Sequence, residues 1–202
     1  MLRLKCMIEK MSNRIPFSLL AILFLSVMLF GCADPPVPKP RGYFRIDFPA
    51  KSYRLFDSIY PFRFMYPTYS VIVPKESADS GVWLNVDFTG YKATLHLSYK
   101  NVHGDISKMI EDARSLAYKH TVKADAIDEQ FFSNQQEKVY GVLYDIRGNS
   151  ASSVQFFVTD STQHYLRGAL YFRCVPNKDS LAPAVDFFKK DVVHLLETLS
   201  WK

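Results

Sequence analysis

The sequence predicts an α+β fold: a single domain with a mainly antiparallel β-sheet and two main helices packed on it, after a signal peptide and a Pro-rich tether. Three observations support this prediction. Alternating or β-rich segments are separated by short turns, two stretches carry apolar residues at helical spacing, and about 160 residues follow the tether. That length is enough for one core, and strands joined by short turns with only two helices are typical of the α+β class.

The first half of the domain contains four predicted strands followed by one helix. The strands are "GYFRIDF", "YSVIV", "VWLNVDF" and "KATLHLSY". The helix is predicted from about Asp105 to Val122, with Asp105 as its N-cap. Its apolar stripe consists of Ile106, Met109, Ile110, Ala113, Leu116 and Ala117.

The second half repeats the order of strands first and helix last. The four strands are "AIDEQFF", "KVYGVLYDI", "SSVQFFVTD" and "HYLRGALYF", and "RGNSA" and "DSTQ" are predicted hairpin turns. The last helix is predicted to open at Asp179 and Ser180, with Pro183 in its first turn. Its apolar stripe consists of Val185, Phe188, Val192, Leu195, Leu196 and Leu199.

The amino-terminal segment predicts export. An apolar run of fourteen residues, from Phe17 to Phe30, is shorter than the roughly 20 residues needed to span a bilayer. It matches the apolar region of a secretory signal peptide, with basic residues before it, and either Met1 or Met11 fits as the start.

A cysteine follows this run directly. Leu29, Gly31 and Cys32 resemble a bacterial lipobox, in which the cysteine receives acyl chains, and the alternative is a buried cysteine beside a signal anchor. We therefore expect residues 1–31 to be a lipoprotein signal peptide and 32–41 to be the lipidated cysteine with a Pro-rich tether. Residues 42–202 are then the α+β domain. Proline-rich chain acts as a semi-rigid spacer of about 3.1 Å per residue.

Charge and motif content argue against several classes of function. The net charge of +5 falls to +2 once the signal peptide is removed, so the basic balance does not indicate nucleic-acid binding. No nucleotide loop, nucleophile elbow or metal-ligand spacing is present, and the five histidines show no pattern for a metal. We expect no enzyme activity, no cofactor and no metal, and we expect Cys174 to be a buried cysteine at a strand end.

Aromatic residues, prolines and arginines are concentrated between Tyr43 and Tyr69, without clean periodicity. This composition is typical of protein interfaces, but the segment could equally wrap the sheet and cover its edge. Where the tether meets the domain, four residues form a candidate partner-binding patch, although two of them could instead begin the first strand. The patch is Arg41, Tyr43, Phe44 and Arg45.

Several segments of the sequence resemble those of one known protein family. They are "PKPRGYFRIDFP", "YKATLHLSY", "YKHTVKADAI", "SVQFFVTDST", "LRGALYF" and "HLLETLSWK", and they cover essentially the whole chain after Cys32. These segments resemble the gliding-motility lipoprotein GldD family of the Bacteroidota.

The resemblance implies a non-catalytic envelope lipoprotein needed for gliding and associated with type IX secretion. It implies acylation at Cys32, attachment to a lipid bilayer, and other gliding lipoproteins, GldJ foremost, as partners. A scaffold or stabiliser is the expected function, and the alternative is a lipid-anchored envelope enzyme or glycan-binding module. Because Asp34 is a single acid after the cysteine, short of a surface-export cluster, we expect the periplasmic face of the outer membrane.

Three Asp-Ser triplets resemble the acceptor pattern for O-glycosylation of exported Bacteroidota proteins. Their candidate acceptor residues are Ser58, Ser161 and Ser180. Asp-Ser is also ordinary turn and helix-cap chemistry, so both interpretations stay open.

Overall fold

The computed structural model describes residues 45–76 and 81–202, together with Ile22. Within these residues, ten strands and two α-helices follow one another along the chain. The strands are β1 (Tyr53–Asp57), β2 (Phe62–Pro67), β3 (Ser70–Lys75), β4 (Val82–Phe88), β5 (Ala93–Asn101), β6 (Ala124–Asn134), β7 (Val139–Gly148), β8 (Ser152–Thr159), β9 (His164–Phe172) and β10 (Ser200–Trp201). The helices are α1 (Ile106–Tyr118), extended by a 3₁₀ turn (Lys119–Val122), and α2 (Lys178–Glu197).

The main sheet has seven strands in the order β3-β4-β5-β9-β8-β7-β6, and every neighbouring pair is antiparallel. This confirms the predicted mainly antiparallel α+β fold with two helices. Gly42–Lys202 groups into one compact unit by its internal contacts. Neither helix of the described residues has the length and hydropathy required to cross a bilayer.

The two faces of the main sheet are covered by different layers. One face packs against α2 and the small sheet through a large apolar core that includes Phe62, Leu95, Phe156 and Phe188. The opposite face packs against α1 over β7, β8 and β9, around Ala117 and the neighbouring apolar residues of those strands. Strand β8 lies under both layers, so all eight of its residues are buried.

A close approach in the core explains one glycine of β9. Phe156 on β8 stands opposite Gly168, and a Cβ atom at that position would come within 2.2 Å of the Phe156 ring. Only glycine leaves room for the ring against the neighbouring strand.

A second, three-stranded sheet with the order β1-β2-β10 was not predicted. Phe62, Phe64 and Tyr66 alternate along β2, and both phenylalanines are fully buried in the large core. The predicted strand "GYFRIDF" is wrong over residues 45–48, which form no strand.

The helix starts differ in detail from the prediction. Asp105 is the N-cap position of α1, but its carboxylate accepts a bond from the His103 N–H instead of capping the helix. Helix α2 is capped by Asn177, whose side chain accepts from the Ser180 N–H, so Asp179 and Ser180 lie inside its first turn. Pro183 therefore falls in the second turn rather than the first.

Candidate functional site

The predicted sites divide between described and undescribed residues. Cys32, Arg41, Tyr43 and Phe44 lie outside the described residues, so they stay predictions. Arg45 is described: its side chain is 88% exposed and pairs with the exposed Asp47 at 2.9 Å.

The exposure of two predicted residues differs from the prediction. Cys174 is exposed just after β9, so the prediction of a buried cysteine is wrong. Leu116 belongs to the predicted stripe of α1 but is 37% exposed, because α1 covers only part of the sheet.

The three candidate acceptor serines are all exposed. Ser58 lies in the bend after β1, Ser180 in the first turn of α2, and Ser161 at the tip of the β8–β9 hairpin with a φ of 68°. The Asp160 carboxylate accepts bonds from the N–H groups of Thr162, Gln163 and His164. Burial alone would raise the pKa of Asp160, but these backbone bonds lower it to about 2.

We predict an attached glycan at Ser161, because its hydroxyl is exposed on a hairpin tip that Asp160 holds in one conformation. Intact-mass spectrometry of the protein from its native host should show an added glycan mass that disappears in Ser161→Ala. The Ser58→Ala and Ser180→Ala variants are the controls and should keep that mass. A wild-type mass equal to polypeptide plus lipid would contradict the prediction.

The chain that enters the domain is fixed to its core. Residues 45–52, called here the strap, run along α2 without joining a sheet. The Phe48 ring stacks on the Phe187 ring, with centroids 4.2 Å apart, and meets Phe188 edge to face. The Tyr91 hydroxyl donates to the backbone oxygen of Asp47 at 3.2 Å.

The strap is also held by a buried polar cluster, called here the Asp191 cluster. The Asp191 side chain on α2 is 1% exposed. Its Oδ1 accepts from Lys51 Nζ at 2.7 Å and from the Tyr53 hydroxyl at 3.0 Å, and its Oδ2 accepts from the Tyr69 hydroxyl at 2.6 Å. One carboxylate therefore joins the strap, β1 and the β2–β3 turn to α2.

Lys51 has an acceptor for each of its three ammonium protons. Besides Asp191, its Nζ lies 2.9 Å from the Tyr69 hydroxyl and 2.9 Å from the Phe187 backbone oxygen, and it lies 3.3 Å from the centroid of the Phe187 ring. Burial lowers the pKa of Lys51, and the Asp191 carboxylate partly opposes this. The cluster is closed, because its cation and its carboxylate are already paired with each other and with tyrosines.

The two tyrosines stay neutral over a wide pH range. Burial, reinforced by the bond to Asp191, raises the pKa of Tyr53 to about 12, and the same causes raise the pKa of Tyr69 further. The His194 ring packs on the Tyr53 ring with centroids 3.8 Å apart. These contacts bind β1 to α2 through hydrogen bonds and ring packing.

The second candidate surface is the part of the main sheet that α1 leaves uncovered, called here the open sheet face. It is formed by β3, β4 and β5, and its outward residues include Val71 at 50% and Trp83 at 46% exposure. Polar pairs cross it: the Asp87 carboxylate accepts from the Thr94 hydroxyl at 2.6 Å, and Asn85 Oδ1 lies 2.7 Å from a His96 ring nitrogen. An exposed tryptophan among paired polar groups is typical of a binding surface.

His96 lies on this face between polar and aromatic neighbours. Burial lowers its pKa, Asp87 opposes this, and its ring contacts Tyr171 edge to face at 5.5 Å. In the described parts of the chain, no three His, Cys, Asp or Glu side chains converge to hold a metal ion.

Sequence reasoning missed the Asp191 cluster and Trp83. A signal for Asp191 was present, since it lies between Phe188 and Val192 on the apolar stripe of α2, where an acid must find partners. Its partner Lys51 is 140 residues earlier in the chain. Only the fold shows that the two meet.

The fold and surfaces together define an α+β domain. Its amino-terminal strap is fixed to α2, and the open sheet face of β3, β4 and β5 is not covered by α1. The sequence model of the gliding motility lipoprotein GldD family matches residues 33–201. The chain therefore belongs to the GldD family, which makes it a lipoprotein of the cell envelope that takes part in gliding motility. No curated protein matches the chain.

Proposed function

We propose that this protein is a non-catalytic scaffold of the gliding machinery, anchored through acylated Cys32, that holds or stabilises other gliding lipoproteins. We further propose an association with type IX secretion, a position on the periplasmic face of the outer membrane, and GldJ as the leading candidate partner. Family membership supports the gliding context, and the finer statements are expectations from it.

The observation that carries the scaffold proposal is the clamped strap. Phe48 packs into the core and Lys51 pairs with a carboxylate that is 1% exposed, while Arg45, only a few residues earlier, is 88% exposed. An arginine held at the base of a tether by a fixed segment is pre-organised for binding, which reduces the entropy lost on association.

The same clamp suits a protein that carries load. Any force between a lipid anchor before residue 42 and a partner on the domain must pass through the strap. Stacked rings and a buried ion pair resist the peeling of the strap from α2 better than exposed contacts would.

The state of the polar clusters supports a non-catalytic function. Catalysis needs an acid, base or nucleophile with a free position facing substrate. In the Asp191 cluster the ammonium protons and the carboxylate are engaged internally, so this cluster offers no free acid or base to a substrate.

The proposal predicts that the double variant Arg41→Ala/Arg45→Ala folds normally but loses its partner. Truncating binding anchors of this kind typically costs more than about 1 kcal/mol of affinity each. Co-purification with tagged GldJ should fall clearly and gliding should be lost, while the thermal melt stays unchanged.

The matched control is Arg114→Ala/Arg147→Ala. These two arginines are also exposed, and each pairs with a surface acid, Glu129 and Asp128 respectively. The control should keep the partner and glide normally. If the Arg41/Arg45 variant melts normally, retains GldJ and still glides, the patch is not the interface.

A further inference from the structure

A groove of about 410 Å³ lies between α1 and the main sheet, at the border of the open sheet face. This volume falls in the usual range of small-ligand sites, about 300–1,000 Å³. Residues from three strands and from the helix line it, among them Trp83, Lys100, Arg167, Lys108 and Asp112.

In the described residues, no carboxylate lies within ion-pair distance of the three cations of this groove, although Asp105 interacts with Lys108 at longer range. Among residues 45–76 and 81–202, Lys100 and Lys108 form no ion pair, and the one side-chain hydrogen bond of Arg167 goes to Gln155 Oε1 at 2.8 Å. A guanidinium that bonds a neutral amide still has its charge and further N–H donors to offer. The groove therefore suits a ligand that carries carboxylates.

An unsatisfied donor lies behind Arg167. Gln155 is 2% exposed, and while its Oε1 accepts from Arg167, its Nε2 has no partner among the described residues. A buried amide N–H without a partner is unfavourable unless a bound group or water accepts its bond. Gln155 thus holds the Arg167 guanidinium from behind through Oε1 and leaves its remaining N–H donors for a ligand.

Trp83 supplies a flat apolar surface at the same place. It is 46% exposed on β4 and stands directly opposite Ser98 of β5. A half-exposed indole is stabilised when a flat apolar group covers it. The C–H face of a sugar ring is such a group, and its hydroxyls can bond the neighbouring polar side chains.

The two acidic residues of the groove distinguish between two classes of ligand that carry carboxylates, acidic peptides and acidic sugar chains. Asp105 and Asp112 line it together with the cations. An acidic peptide would bring its carboxylates against these two aspartates, whereas sugar hydroxyls can donate to them while the sugar carboxylates meet the cations. Of the two, an acidic sugar chain satisfies the aromatic, basic and acidic side chains together.

We propose that the groove between α1 and the main sheet binds an acidic glycan, a sugar chain that carries carboxylates. The ring packs on Trp83, the carboxylate binds Arg167 with help from Lys100 and Lys108, and hydroxyls donate to Asp112. This site is independent of the proposed scaffold function, since it uses neither the strap nor Arg45. Binding there would attach the lipid-anchored domain to a second component of the envelope, a polysaccharide.

Calorimetric titration of the full lipidated protein in detergent micelles tests this site. The probes are trimers of galacturonate, glucuronate and mannuronate, with maltotriose as the neutral sugar and triglutamate as the acidic peptide. At least one uronate trimer should bind with a Kd below about 1 mM, and both comparison ligands should bind at least about tenfold more weakly.

Variants then place the binding in the groove. Trp83→Ala and Lys108→Gln, both at exposed positions, and Arg167→Gln should each weaken uronate binding about tenfold or more. Lys190→Gln is the matched control, because this exposed lysine lies on α2, which packs on the opposite face of the sheet. Its affinity should equal that of the wild type.

Three outcomes would overturn the proposal. These are no uronate trimer binding below about 1 mM, triglutamate or maltotriose binding as tightly as the uronates, and affinities left unchanged by Trp83→Ala and Lys108→Gln. Should Arg167→Gln fail to fold, the other two variants decide.

Discussion

Replacing Asp191 with alanine should lower the free energy of unfolding by about 3 kcal/mol, the lower end of the cost of breaking a buried ion pair, because Asp191 is buried but Lys51 is 27% exposed. The change leaves Lys51, Tyr53 and Tyr69 without the acceptor that they share. For a domain of this size, the midpoint of thermal unfolding should fall by about 10 °C. Chemical denaturation of the full protein in detergent gives the measurement.

The matched control is Asp128→Ala. Asp128 also pairs with a cation, Arg147, but both side chains are largely exposed, so its removal should cost less than about 1 kcal/mol. If Asp191→Ala costs no more than Asp128→Ala, the cluster does not stabilise the fold.

Hydrogen exchange separates a local effect from a general one. The Asp191 cluster holds the strap, whereas β8 is buried on both faces. Relative to the wild type, Asp191→Ala should therefore accelerate exchange of the amides of residues 45–52 more than exchange of the β8 amides. Equal acceleration in both places would mean that the cluster supports the whole domain and does not specifically clamp the strap.

Much of the main sheet could be predicted from the sequence, for a physical reason. Strands such as β4 alternate between apolar residues on the core side of the sheet and polar residues on its other side, as Leu84, Asn85 and Val86 do. The stripe of α2 was equally clear, since Phe188, Val192 and Leu195 recur at helical spacing and are all buried.

The small sheet was less accessible to sequence reasoning. Strand β2 does alternate, with Phe62, Phe64 and Tyr66 on one side, but prolines at both ends and the dense aromatics around it concealed the pattern. Strand β10 is two residues long and exists because the chain after α2 pairs with β2. No local pattern can predict a pairing that depends on a helix bringing distant residues together.

The candidate sites depend even more on contacts between residues that are distant in the sequence. Composition indicated that Arg45 lies at the tether junction, and the structure finds it exposed there. The groove depends on Trp83, Lys108 and Arg167 converging from β4, α1 and β9, which are adjacent only in the folded protein. Long-range convergence of this kind leaves no signal in residue spacing.

Replacing Cys32 with alanine should abolish lipid attachment and with it gliding, the largest functional effect expected for this chain. Membership of a lipoprotein family and the position of Cys32 directly after the apolar segment support acylation at this residue. Each acyl methylene buried in a bilayer contributes about 0.8 kcal/mol, and stable anchoring needs two membrane signals, such as two acyl chains. The variant therefore loses the membrane affinity that its acyl chains supply.

Labelling with a clickable fatty acid, together with an immunoblot that separates precursor from processed protein, gives the measurement. The Cys32→Ala protein should be unlabelled, should remain as an unprocessed precursor, and should fail to support gliding. Cys174→Ala is the matched control, since Cys174 is an exposed thiol within the folded domain that the labelling must not depend on. That control should be labelled, processed and motile. Persistent labelling of Cys32→Ala, or normal gliding by an unlabelled protein, would show that Cys32 is not the anchor on which this protein depends.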